Sequence, residues 1–231
     1  MTADPKASGM TVRDAILGRR SVRGFRPEPV ARELLLDILR VASRSPSGTN
    51  LQPWKVHVCT GARKDALSER LVAAHDAGGE GHEEEYPIYP AEWREPYLSR
   101  RRALGLGLYS LLGIGRDDKA ARHAHFARNY RFFGAPVALF FTMDRDMEQG
   151  SWLDMGMFMQ NVMLAARAHG LETCPQQAFV RYHRIVCEVL EIPPGERMLC
   201  GMALGYPDET EPANRLHTER APVEDFVRFV E

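Results

Sequence analysis

No stretch of these 231 residues is apolar for the eighteen or more residues that a membrane helix needs, and the opening MTADPKASGM lacks the apolar core of a signal peptide. Neither membrane insertion nor secretion is expected. Charge of one sign is missing as well: 30 Lys and Arg against 31 Asp and Glu leave a formal charge of −1, no general field for nucleic acid or an anionic membrane. The four cysteines, Cys59, Cys174, Cys187 and Cys200, are spaced unlike any zinc knuckle or disulfide framework. Buried, reduced thiols in a cytoplasmic protein are expected.

The familiar catalytic motifs are also absent. Gly105-Leu106-Gly107 is followed by Ser110 where a dinucleotide fingerprint needs glycine, and it falls in a predicted helix. There is no Gly-x4-Gly-Lys-Ser/Thr. His82-Glu83-Glu84-Glu85-Tyr86 lacks the second histidine of a zinc-protease helix. His123 and His125, two apart, fall on different faces of a helix, so no metal site is expected. Nor does spacing support a Ser-His-Asp or Cys-His arrangement. Any chemistry must therefore be carried by a cofactor.

What is present is a 44% hydrophobic, 26% charged composition, ample for the core of one large domain over 1–231. Residues 1–10 read as a loose terminus. Thr11 and Asp14 have capping-box spacing and open a short helix to about Arg19. Leu34, Leu35, Ile38, Leu39 and Ala42 predict an amphipathic helix over 31–43. Trp54, Val56 and Val58 alternate with Lys55, His57 and Cys59, a strand ended by Gly61, and helical period returns over 62–75. Residues 76–96 are irregular, rich in Gly, Glu and Pro, and carry aromatic residues, as binding loops and lids do. Helices are predicted over 97–112 and 117–133, the second capped by Gly134.

The apolar run Pro136–Met143 predicts a central strand. Ser151 and Asp154, again at capping-box spacing, open a helix to His169 that is apolar nearly all round, as expected of a helix in a core or across a dimer axis. A short strand over 171–174, a helix over 182–191 and a buried strand over 198–204 follow. The tail is polar from Pro207 to Arg220 and apolar again at Phe226, Val227, Phe229 and Val230, an arm whose tip docks elsewhere.

Two stretches organise the chain. Arg19-Arg20-Ser21-Val22-Arg23-Gly24-Phe25 packs three guanidiniums and a hydroxyl into five positions, a phosphate cradle by shape and charge. Pro46-Ser47-Gly48-Thr49-Asn50-Leu51-Gln52-Pro53-Trp54 is a loop of small and amide-bearing residues suited to a flat ligand rimmed by donors and acceptors. Each alone is more often structural: arginines suit a helix C-terminus, and PSGTN could be a plain turn. Together they call for a phosphate tail on a heteroaromatic ring.

In this order, and with Gly201-Met202-Ala203-Leu204-Gly205-Tyr206-Pro207 to Arg220 and Cys174-Pro175-Gln176-Gln177-Ala178, the chain resembles the FMN-dependent nitroreductase family along essentially its whole length. Residues 86–133 look closest to its nitrobenzoate-reductase branch. The resemblance implies an α+β sandwich with a central, mostly antiparallel sheet flanked by helices. It further implies an intertwined homodimer with FMN at each interface, 76–133 as lid or insertion and 208–231 as an embracing tail.

By the same resemblance Arg19, Ser21 and Arg220 would bind the FMN phosphate, with Arg20 in the cradle. Arg23 would stabilise negative charge at the flavin pyrimidine edge, as a catalytic group. Pro46, Ser47, Gly48 and Asn50 would line the ring and ribityl chain, and Gln52 would reach the cofactor of the other subunit. Pro175 and Gln176 lead to Gln177, whose backbone N–H would donate to flavin N5; several family members carry glutamate there. Thr218 stands where some relatives have a phosphate-binding lysine, a departure that leaves its role open. Tyr86, Tyr89, Trp93 and Tyr97 would roof an aromatic substrate or pin a loop. Arg100 to Arg102 would attract an anion or form a solvated face. Trp54 reads as core.

The implied activity is reduction of a nitroaromatic compound to the hydroxylamine by NADH or NADPH, with hydride passing in alternation through flavin N5. Reduction of quinones or enones, a flavin-consuming reaction, and reductive dehalogenation are alternatives; residues 76–116 contain no lysine for a zwitterion-binding lid, which weighs against the last. A non-catalytic, redox-responsive flavin-binding protein is the reading from another class.

Overall fold

The computed structural model describes residues 9–231, so the loose terminus expected over 1–10 lies almost wholly outside the described residues. Helix α1 (Val12–Gly18) begins with the predicted capping box: Thr11 Oγ1 accepts from Asp14 N at 3.1 Å, and the Asp14 carboxylate accepts from Thr11 N at 3.3 Å. Two orphan N–H groups are satisfied reciprocally. Helix α2 (Arg32–Ala42) buries Leu35, Ile38 and Ala42, the stripe expected from their spacing. Strand β1 (Lys55–Thr60) leads directly into α3 (Gly61–Asp76), and α4 (Tyr97–Leu111), α5 (Lys119–Ala127), strand β2 (Val137–Asp144) and α6 (Gln149–Ala168) follow. Strand β3 (Glu172–Gln176), α7 (His183–Val189) and β4 (Glu196–Gly205) complete the regular elements.

The strands form one sheet in the order β1-β2-β4-β3, every neighbouring pair antiparallel. β2 and β4 are central and buried along nearly their whole length, which is why both are continuous apolar runs rather than alternating ones. Alternation decides which face each residue serves. Ala138 and Phe140 join Leu67, Leu71, Phe132, Phe179 and Val186 in a core beneath α3 and α7. Val137, Leu139 and Phe141 point the other way and pack with Leu35, Ile38, Phe158 and Val162 of α2 and α6. The fold is α+β, with helices on both sides of an antiparallel sheet.

Three local expectations differ from the structure. Ser151 and Asp154 do not cap α6, which starts at Gln149 with Glu148 before it; Ser151 N donates to Glu148 O at 2.9 Å. Asp154 is buried and both its oxygens accept from Gly48 N at 3.3 Å, so a distant backbone group has claimed the side chain. The helix expected over 117–133 stops at Ala127 and tightens into a 3-10 segment, Arg128–Gly134. Phe132 and Phe133 there adopt left-handed φ of 52° and 54°, because both rings are drawn into the core. In β1 Cys59 is buried and Val58 exposed: Cys59 packs in the core with Leu67 and Leu71 of α3, while Val58, opposite Leu139, is left uncovered on the other face.

Candidate active site

After α1 the chain runs extended along the open side of β3. Ser21 bridges Thr173 in parallel register, Val22 N donates to Thr173 O at 3.0 Å, and Phe25 N donates to Phe133 O at 3.1 Å. Nailed at these points, the strip turns Arg19, Arg20, Ser21 and Arg23 into one cavity of about 650 Å³, shared with Thr218 and Arg220 from the tail. Arg220 is aimed by Thr218: its Nη1 donates to Thr218 Oγ1 at 2.7 Å and to Thr218 O at 3.1 Å. Arg100 of α4 enters the same cavity, so one arginine of the charge run faces a cleft rather than open solvent. Among the residues expected at the phosphate, Arg19, Arg20, Ser21 and Arg220 are thus brought together; Arg23, expected at the ring edge, lines this cavity and not the one at the end of β3, its Nη1 donating to Ser21 O at 3.3 Å.

A second cavity, of about 750 Å³, opens at the end of β3. Pro175, Gln176 and Gln177 form one wall; Tyr86, Tyr89, Trp152 and Met155 lie on others. Gln177 opens the 3-10 segment Gln177–Tyr182, the kind of turn whose first N–H groups have no acceptor within the helix. Its side chain donates from Nε2 to the Tyr86 hydroxyl at 3.2 Å, and that hydroxyl donates in turn to Leu199 O. Burial pushes the Tyr86 phenol up to about 12, so it remains a neutral donor. Buried Gln176 donates from Nε2 to Asn129 O at 2.8 Å. Burial also lifts the Cys200 thiol, on the same wall, to about 12, which removes thiolate chemistry from the cavity.

The four aromatic residues of the irregular segment divide. Tyr86 and Tyr89 line the cavity, and Tyr86 packs edge-on against Trp152, centroids 4.7 Å apart. Trp93 and Tyr97 do not; Trp93 lies beside Tyr89 at 5.4 Å under the Arg101 guanidinium, and Tyr97 is exposed. Glu85 ties this segment down, pairing with Arg145 at 2.6 Å and accepting from Met198 N at 3.2 Å.

The 46–52 loop lines neither cavity within one chain. It joins α2 to β1 and is tethered to α6 by the Gly48–Asp154 contact, with Gln52 N donating to Ser47 Oγ at 2.9 Å. Thr49, Asn50 and Gln52 all have left-handed φ, at 47°, 62° and 52°. Such residues are held at a cost of about 1–3 kcal/mol each and cluster at ligand clamps. Trp54 stacks on Phe158 at 4.8 Å and is core, as expected. Elsewhere, ligand atoms of His75, Asp76 and His123 come within 4.8 Å of one another. The two rings are stacked nearly parallel, 4.0 Å apart, and His123 Nε2 already bonds Asp76 at 2.8 Å, so their in-plane lone pairs do not converge on a point.

A family model described as Nitroreductase family matches residues 16–206, which span the arginine strip and the β3 wall of the second cavity. The chain belongs to the nitroreductase family. It is 39% identical over 217 residues to the nitrobenzene nitroreductase of Ectopseudomonas oleovorans, covering 94% of this chain and 96% of that one. It is 38% identical to the 4-nitrobenzoate reductase of Pseudomonas putida, covering 94% and 95%. Among solved structures, the FMN-dependent nitroreductase NfnB from Mycobacterium smegmatis in complex with NADPH superposes with a TM-score of 0.89 at 33% identity, covering 95% of this chain and 97% of that one. The FMN and NADPH-dependent NfnB from sphigopyxis sp. strain HMH gives a TM-score of 0.92 at 43% identity, with 96% and 99% covered.

Several nitroreductase side chains at the two cavities had no sequence signal. Trp152 and Met155 sit in a helix apolar all round, and Asn129 is a single polar residue in unremarkable surroundings. Only Arg100 lay in a visible pattern, the Arg100–Arg102 run.

Proposed function

We propose that the chain is an FMN-dependent NAD(P)H oxidoreductase that reduces nitroaromatic compounds, nitrobenzoate among them, to hydroxylamines. The observation that carries this reading is how β3 connects the two cavities: Ser21 of the arginine cavity bridges Thr173, and the strand runs on through Pro175 and Gln176 into the other cavity. From Thr173, the partner of Ser21, to Gln177 just past the end of β3 is four residues, a span of at most roughly 13 Å at about 3.3 Å per strand residue. That is the order of distance between a flavin's phosphate and the reactive edge of its ring. The donor sets fit the group: guanidiniums and a hydroxyl at one end suit a dianion, and a buried wall with a turn of backbone N–H groups at the other suits a flat heteroaromatic ring.

Arg19, Arg20, Ser21 and Arg220 would hold the phosphate, and Arg23, from the same cavity, would reach toward the pyrimidine edge. Pro175, Gln176 and the Gln177 backbone N–H would support the ring. Bound FMN would supply hydride exchange at N5, between NADH or NADPH and the nitro compound. The chain's own part is to orient, exclude water and tune charge. Tyr86, neutral and fixed by its bonds to Leu199 and Gln177, would orient the acceptor together with Tyr89. Trp93 and Tyr97 would belong to the outer part of a lid spanning 76–133.

A homodimer completes this reading. Pro46, Ser47, Gly48, Asn50 and Gln52, which line neither cavity of their own chain, would reach the ring and ribityl chain of the partner's cofactor, and 208–231 would embrace the partner. No helix among the described residues is long and apolar enough to cross a membrane, and the four thiols are unpaired, which supports a cytoplasmic setting.

The test is the visible spectrum of the purified protein, taken anaerobically, then with NADPH or NADH, then with 4-nitrobenzoate. A flavin spectrum that bleaches and returns is expected. Bleaching without return would discard this acceptor, and a colourless protein that refuses added FMN would sink the proposal.

A further inference from the structure

The backbone of Arg23 is held on both of its peptides by side chains rather than by a neighbouring strand. Its N–H donates to Asn214 Oδ1 at 2.7 Å, and its carbonyl accepts from Arg128 Nη2 at 3.1 Å. Asn214 is 4% exposed, and its Nδ2 donates to Gly24 O at 2.9 Å and to Asp208 O at 2.8 Å. Two carbonyls on one side and an N–H on the other allow only one orientation of the carboxamide. Arg128 is itself fixed by two bonds to Glu211, at 3.2 and 2.6 Å. The stem of Glu211 lies where a Cβ on residue 24 would sit, 2.3 Å from it, so only glycine fits beside this clamp.

We propose that Asn214 is a positioning residue for Arg23: its carboxamide bonds the backbone on both sides of that residue and so fixes where the Arg23 guanidinium stands toward the cofactor. This rests on the FMN reading above. The same amide joins the arginine strip to the turn that leads on to Arg220, so both arms of the cradle are registered through one buried side chain. Truncating it leaves the Arg23 N–H, Gly24 O and Asp208 O without these partners, which frees the peptide to rotate.

The experiment is a double-mutant cycle read in the midpoint potential of bound FMN, with Arg23→Ala, Asn214→Ala and the pair. Arg23→Ala is expected to disfavour reduction by about tenfold, about 30 mV for a two-electron couple, since a cation stabilises the charge that reduction adds. Asn214→Ala is expected to shift the potential in the same direction in the wild-type background and not at all in the Arg23→Ala background. An equal shift in both backgrounds, or a lower melting temperature with an unmoved potential, would overturn the proposal. If Asn214→Ala does not fold, Asn214→Asp retains the acceptor and is read in the same cycle. Its shift is expected to be smaller without Arg23, and an undiminished shift counts against positioning. A wild-type chain that takes up no FMN would instead overturn the functional reading itself.

Discussion

Arg19 is the residue on which the phosphate reading can be tested most directly. A guanidinium meeting a phosphate makes a charge-assisted contact worth about 1.5–3 kcal/mol. Arg19→Ala should therefore raise the FMN dissociation constant roughly 10- to 150-fold, read by quenching of flavin fluorescence. Arg19→Lys should recover only part of this, because an ammonium lacks the planar fork. Arg19, Arg20, Ser21 and Arg23 were legible in the sequence because their shared chemistry falls within five positions. Asn214 was not: it acts on Arg23 from 191 residues away, and one asparagine in a polar tail carries no local pattern. Asp154 was misread for the same reason, since its spacing from Ser151 says nothing of Gly48, 106 residues upstream.

Among the elements, the outer end of the sheet holds a polar network that predicts the protein's behaviour in acid. Glu196 opens β4, accepting from Thr142 Oγ1 at 2.5 Å and pairing with His57 Nε2 at 2.9 Å and Lys55 Nζ at 3.3 Å. Burial works against the carboxylate, but these three partners outweigh it and hold the group below its ordinary value of 4.5. A carboxyl depressed in the folded state stabilises above its unfolded pKa, and that contribution is lost as pH falls through the folded one. Wild-type melting temperature should therefore drop as pH is lowered below about 4.5. Glu196→Gln should be less stable by about 1–3 kcal/mol at neutral pH, with a flatter acid limb. An equally steep limb in the variant would remove Glu196 from the account. The strands that carry this network were legible as apolar runs, as was α6. The break of the 117–133 helix was not, because helical period continues through Phe132 and Phe133 while burial of their rings dictates the turn.

At the scale of the whole molecule, the apolar surface that one chain leaves uncovered argues for a second copy. On α1, Val12 and Leu17 are 74% and 70% exposed, and at the tip of the tail Phe226 and Phe229 are 69% and 86% exposed. The 46–52 loop, between α2 and β1, lines neither of the two cavities of its own chain. A monomer would carry both as liabilities, whereas a twofold dimer would bury the first and use the second. Burying Phe226, Val227, Phe229 and Val230 on a partner contributes on the order of 5–10 kcal/mol before association and ordering costs. Deleting residues 226–231 should therefore shift sedimentation from dimer toward monomer at micromolar concentration. FMN affinity should fall in parallel, because the partner's loop and this chain's Arg220 would serve one site. The parallel fall is the discriminating part. A truncated chain that dissociates yet keeps its FMN would mean each cofactor site is complete within one protomer, and the 46–52 loop would then need another purpose for its three left-handed residues.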